Sequence, residues 1–274
     1  MSAPVMSPLV VGAPQFAFGA LSEPTNPPPD PRAEAARLRA AGLPIVLIVT
    51  HSYGGGTERH VHDICERFAG RAIFLALRTA ADGRLLLTWP GRAGTVGIAF
   101  PHGVGTGSLV AALRPFGVAS VHIHQLFSLP LDAAALVGAL AVPFDFTVHD
   151  YHTICPRVHL KTRQNRYCGE PDAAGCTACL ADYPVATERD IEAYRARHAW
   201  LYRSAARVIC PSRDVANRLA RYHPAARFVL APHDSLFAVP RQAIRPRPLI
   251  ADEPLHIAIL GAVSRYKGAE TVLA

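Results

Sequence analysis

The sequence predicts an α/β fold, an open parallel sheet with helices on both faces. Three observations predict it. The run LPIVLIVT (43–50) is apolar and β-branched without alternation, so it reads as a strand buried on both faces, as parallel strands are. Beyond it the apolar period changes: Val61, Ile64, Cys65 and Phe68 fall at i, i+3, i+4 and i+7, one face of a helix. The same alternation of apolar run and helical period recurs down the chain, which implies right-handed β–α–β units.

The elements follow in order. SEPTNPPPDPR (22–32) is proline-rich and extended, and residues 1–40 read as a flexible tail with about one helical turn in AEAARLRAAG (33–42). Strands are expected at 43–50, 71–77, 84–89, 95–100, 119–124, 144–149, 207–212 and 227–234. Helices are expected after the glycines at 54–56 and at 108–116, 131–140, 187–205 and 213–222. Together these make one main domain over 41–237. Residues 238–254 carry four prolines and no apolar period, so they read as a linker. Residues 255–274 open a fresh strand, loop and helix. That piece is too small to bury a core, so a truncated second domain is expected.

Composition narrows the function. Half of the 274 residues are hydrophobic, enough for a substantial core. The net charge is +7, but the basic residues are almost all arginine, with Lys161 and Lys267 the only lysines. No run of five basic residues occurs and no aromatics alternate with them, which argues against a nucleic-acid partner. No apolar run reaches the ~18 residues of a membrane helix, and residues 1–30 lack the pattern of a secretory signal. The expected location is cytoplasmic, with peripheral contact at the anionic inner-membrane face open to a mildly basic surface. A reducing compartment disfavours a disulfide framework.

Three groups of residues carry chemistry. Gly54, Gly55 and Gly56 stand between a strand and a helix, where backbone N–H groups face the positive helix end and phosphates or sugar hydroxyls can approach. The stretch matches neither G-x-G-x-x-G nor G-x-x-x-x-G-K-[ST], and a plain tight turn with positive φ fits equally. His124 and His149 end predicted parallel strands, where ligands of open α/β sheets bind. Cys155, Cys168, Cys176 and Cys179 fall in a polar insert, 151–182, that shows little regular structure. Four thiolates so close, one pair as C-x-x-C, suit a structural zinc that would order the insert. A redox or disulfide pair and unlinked thiols fit the spacing too. Cys65 and Cys210 fit a helix core and a strand core.

HSYGGGTERHVHDI (51–64), VHIHQ (121–125), FTVHDYHTICPR (146–157), VICPSRDVANRLARY (208–222) and AILGAVSRYKGAETVLA (258–274) occur in an order that resembles family-four retaining glycosyltransferases of the GT-B fold. Gly55, Gly56 and Glu58 match that family's Gly-Gly-x-Glu. The resemblance implies a Rossmann-like, acceptor-side N-terminal domain and the first residues of a donor-binding domain. It implies a hexosyltransferase-like enzyme that moves a sugar from a nucleotide-sugar donor to a glycan or lipid-linked acceptor with retention, in bacterial cell-surface polysaccharide biosynthesis. It places His149 over the transferred sugar as the catalytic residue, with Gly54, Gly55, Gly56, Glu58, His124 and Asp150 on the substrate side. Lys267 would neutralise the donor diphosphate. Ala262 stands where relatives carry an arginine, so Arg265 would have to substitute. No Asp-x-Asp triplet occurs, so no metal or other cofactor is expected in catalysis. The family's paired glutamates lie beyond Ala274, so the chain alone is expected to be inactive. A non-catalytic zinc-bearing α/β module that binds glycans or a partner is the alternative. A Rossmann oxidoreductase is disfavoured by the glycine pattern and by the lack of Tyr-x-x-x-Lys.

Overall fold

The computed structural model describes residues 30–52, 54–80, 82–91, 94–127, 129–185 and 188–233. The expected linker at 238–254, the start of a second domain, Arg265 and Lys267 lie outside the described residues. The chain divides into two compact units at Thr147/Val148.

The first unit begins with α1 (Pro31–Arg39) and β1 (Ile45–Val49), then α2 (Gly55–Arg67) and β2 (Ile73–Thr79). β3 (Leu85–Gly91), β4 (Gly94–Ala99) and α3 (Thr106–Leu113) follow. A 3-10 turn (Arg114–Phe116) leads to β5 (Ser120–Ile123), α4 (Ala133–Leu140) and β6 (Phe144–Thr147). The strand order in this unit is β4-β3-β2-β1-β5-β6. β1 pairs in parallel with β2 and with β5, and β5 pairs in parallel with β6. Leu47 and Ile48 of β1 are fully buried, as a central strand covered on both faces requires. The fold is therefore the expected mostly parallel, Rossmann-like α/β sheet.

Two features differ from the sequence reading. β3 pairs antiparallel with both β2 and β4. Only residues 80–84 and 92–93 connect these strands, whereas a parallel crossover needs about a dozen residues. And α1 is a full helix where the sequence suggested about one turn in a flexible tail. Asp30 caps it, accepting from the Arg32 amide at 2.9 Å, and Pro31 occupies the first turn with φ preset for a helix. Ala35 and Leu38 are buried, and the Trp89 indole of β3 donates to Glu34 at 3.3 Å. α2 ends at Arg67, so Phe68, expected on its apolar face, lies just past the helix and is 41 % exposed.

The second unit holds α5 (Ala173–Asp182), α6 (Ile191–Ser204), β7 (Arg207–Cys210), α7 (Arg213–Ala220) and β8 (Phe228–Leu230), with β7 and β8 parallel. The insert is more regular than its sequence suggested. Asp172 caps α5 through the Gly175 amide at 2.8 Å, and Leu180 packs with Ile191 and Tyr194 in a small core. α6 starts at Ile191 because Asp190 caps it, accepting from the Glu192 and Ala193 amides. No helix among the described residues is long and apolar enough to cross a membrane.

Candidate functional site

In the first unit the chain leaves β1 through α2 towards β2, and leaves β5 through α4 towards β6, on the opposite side. The sheet therefore switches direction between β1 and β5, and ligands of such sheets bind beyond the carboxyl ends at that point. The glycine loop follows β1 and His124 follows β5, so both candidate features belong to this switch point.

Gly54 (φ +73, ψ −160) and Gly55 (φ +80) both have backbone that a side chain disfavours. Gly56 does not, and a Cβ there would meet nothing within 4 Å. The N-cap of α2 is Gly54, which has no side chain to cap it. Its first-turn amides, at the positive end of the helix dipole, are suited to phosphate or hydroxyl oxygens. The three glycines thus separate experimentally. Gly54→Ala and Gly55→Ala should each lower stability by about 1–2 kcal/mol. Gly56→Ala should leave stability unchanged or raise it by up to about 1 kcal/mol. Urea unfolding of the three variants checks this. Lost ligand binding in Gly56→Ala without lost stability would mark an approaching ligand rather than a turn.

Glu58 sits in the first turn of α2 with its Oε1 3.9 Å from Nη1 of Arg78, near the end of β2. Burial pulls the Arg78 pKa down and Glu58 acts against it. The sequence reading ended this strand at residue 77 and missed Arg78. The signal available was a charged residue closing an apolar run. His124 is fully buried; its amide donates to the Val49 carbonyl at 2.9 Å. Its ring lies 4.1 Å from that of His122 and 5.7 Å from that of His60, which the sequence reading did not single out. His122 Nε2 is 2.7 Å from Thr147 Oγ1. Gln125 folds the next loop by accepting from the Leu126 and Phe127 amides, and leaves Phe127 half exposed.

In the second unit His149 is half-buried, its ring 4.8 Å from that of His233. Asp150 engages His152: Oδ1 accepts from the His152 amide at 2.8 Å and lies 2.7 Å from Nδ1. Nδ1–H donates in that bond, and Nε2 is buried without a hydrogen-bond partner. The Tyr194 hydroxyl donates to the His152 carbonyl, and the His198 ring meets His152 edge-on at 5.9 Å. Burial pulls the His198 pKa down. His152 was missed by sequence; an aspartate two residues earlier was the clue. The four insert cysteines are half-buried and unbridged. Burial pushes the Cys155 thiol up to about 11, against the Arg157 amide and guanidinium. Burial also raises Cys176, against Arg195.

The family model for Glycosyltransferase Family 4 matches residues 54–233, well over half of the chain. The chain belongs to glycosyltransferase family 4. No curated protein matches it. The family 4 match opens on the glycine loop and includes Glu58, His124, His149, Asp150 and all four insert cysteines. With the mostly parallel sheet it supports a GT-B-like glycosyltransferase. A sugar donor and an acceptor are therefore its general substrates.

Proposed function

We propose that this family 4 chain forms the acceptor side of an enzyme that transfers a sugar from a nucleotide-sugar donor to a glycan or lipid-linked acceptor, with retention, during cell-surface polysaccharide assembly. The observation that carries the reading is the family match beginning at a glycine loop whose helix is capped by Gly54, at the switch point of the sheet. In this transfer the anomeric carbon–oxygen bond to the diphosphate breaks as the acceptor oxygen bonds to the same carbon from the same face. The acceptor proton passes to the departing diphosphate. The α2 amides take oxygen atoms of acceptor or donor, and Glu58, held near Arg78, borders them. His149 lies against the transferred sugar. Lys267 and Arg265 offset the charge of the leaving diphosphate. A lipid-linked acceptor places the enzyme at the cytoplasmic membrane face.

Incubating the protein with a panel of nucleotide sugars and lipid-linked acceptors tests this. Release of nucleoside diphosphate and a product of unchanged anomeric configuration are expected. His149→Ala should lower transfer about 100-fold while moving the melting temperature by less than about 2 °C. Saturable glycan binding without turnover of any donor would instead establish a non-catalytic binding module.

A further inference from the structure

We propose that Cys155, Cys168, Cys176 and Cys179 bind one structural Zn²⁺ as four thiolates, clamping the 151–182 insert. Three independent observations lead there.

The first is how the sulfurs are presented. Cys168 begins a tight turn in which the amide two residues on, that of Glu170, donates to its Sγ at 3.4 Å. Cys155 also opens a turn, closed by the Val158 amide donating to its carbonyl at 2.9 Å. An amide aimed at a sulfur favours a thiolate acceptor. Cys176 and Cys179 stand three residues apart on α5, on one helix face. Two turns and one helix thus supply four ligands of the kind zinc takes.

The second is charge. Four thiolates around Zn²⁺ carry a net charge of −2, and two guanidinium groups stand ready for it. Arg195 donates through Nη2 to Cys176 Sγ at 3.4 Å and through Nε to the Ile154 carbonyl at 3.0 Å. Arg157 donates through Nη2 to the carbonyls of Cys179, at 2.8 Å, and Tyr183. Its Nε and Nη1 are buried with no hydrogen-bond partner. The half-buried guanidinium already stacks on the Tyr183 ring, its central carbon 4.3 Å from the ring centroid, and an anionic cluster beside it would stabilise it further.

The third is backbone strain. Val158 (φ +65), Leu160 (φ +54), Asn165 (φ +60) and Glu170 (φ +50) all occupy the left-handed region, and Val158 is β-branched. The segment has one short helix and one isolated bridge, Lys161 to Tyr167; the Glu170 ion pairs with Arg218 and Arg221 fasten one end of it, and a cross-link elsewhere would steady the remaining turns. A chelated metal is such a cross-link.

Among the described residues these sulfurs do not form a group of three or more ligand atoms within 4.8 Å of one another. A tetrahedral zinc thiolate site has sulfurs about 3.8 Å apart. Binding therefore contracts the cluster, draws the Cys155 and Cys168 turns onto α5 and releases the thiol protons.

The test is metal analysis of the full 274-residue chain, purified under reducing conditions without chelator. One zinc per chain is expected. Co²⁺ in its place should give tetrahedral d–d bands and a sulfur-to-cobalt charge-transfer band. Chelator should lower the melting temperature, and zinc should restore it. Cys168→Ser and Cys179→Ser should lose the metal, whereas Cys65→Ser and Cys210→Ala should keep it. Where a serine variant fails to fold, the chelator and cobalt measurements on the unaltered chain decide. Two results overturn the proposal: folded, metal-free protein whose melting ignores chelator and zinc, or the four cysteines recovered as disulfides from reducing buffer.

Discussion

Glu170→Ala should lower stability by about 1–2 kcal/mol at pH 7. The Glu170 side chain is 1 % exposed, in the insert, and four groups converge on it. Its Oε1 accepts from Arg218 and from the Tyr167 hydroxyl at 2.5 Å. Its Oε2 accepts from Arg221 Nη2 at 2.5 Å and from the Tyr222 hydroxyl at 3.2 Å. Arg218, Arg221 and Tyr222 come from α7 and the turn after it, so this carboxylate ties the insert to that helix. Without Glu170, Arg218 keeps its 2.8 Å pair with Asp214 and Arg221 turns to water, so the loss is that of the carboxylate's hydrogen bonds and not of a buried charge pair. Arg218 and Arg221 are 26 % and 55 % exposed, so solvent screens both pairs.

Acid should produce the same loss by another route. Burial raises the Glu170 pKa, but Tyr167, Arg221 and Arg218 outweigh it and hold the carboxyl below its usual range. A carboxylate depressed in the folded state stabilises above its unfolded pKa of about 4.3 and loses that contribution as pH falls through the folded value. Urea unfolding of the parent, Glu170→Ala and Glu170→Gln at pH 7 and below pH 4 checks both routes. The variants should differ from the parent at pH 7 and converge on it in acid. Equal stability at pH 7 would show that water replaces the carboxylate's hydrogen bonds without loss.

How far the sequence could be read follows from which forces are local. β1 was legible because a buried parallel strand is apolar without interruption, whereas β5 (SVHI) and β6 (FDFT) were legible as short apolar-polar alternations between helical segments. The antiparallel β3 and β4 were legible in principle, from connections too short for a crossover. α1 was concealed by the prolines before it, although Asp30 followed by Pro31 is itself a helix-start signal. At the candidate site Gly54 and Gly55 were legible because positive φ demands glycine. His60 and Arg78 were not, because each is defined by a partner brought near only by folding, His124 and Glu58, whereas His152 had its partner, Asp150, two residues away in the sequence. Asp150 shows the limit most clearly. Its neighbour in sequence is His149, yet its carboxylate bonds the residue two positions on.

Lowering the pH from 7 to 4 should destabilise the protein well before Glu170 titrates, and His223 should carry a large part of the effect. Its ring stacks on Tyr202 with centroids 3.8 Å apart and planes 12° from parallel. Nε2 is buried without a hydrogen-bond partner. Burial, then Arg203 and Arg195, disfavour the imidazolium and pull the pKa to about 4 from an ordinary 6.5. The folded state thus binds this proton less readily than the unfolded state. Stability is full above about pH 6.5 and falls as pH drops towards the folded value, where the loss levels off. Because His223 is only half-buried, solvent screening reduces the expected loss to about 1–2 kcal/mol, or several degrees of melting temperature. His198 and His233, also pulled down by burial, add to the same slope. His223→Phe keeps a ring on Tyr202 and cannot take a proton. Its melting temperature should therefore change less between pH 7 and pH 4.5 than that of the parent, while the two proteins stay close at pH 7. An unchanged slope would move the acid sensitivity to His198 and His233 and leave the stacked ring with a packing role alone.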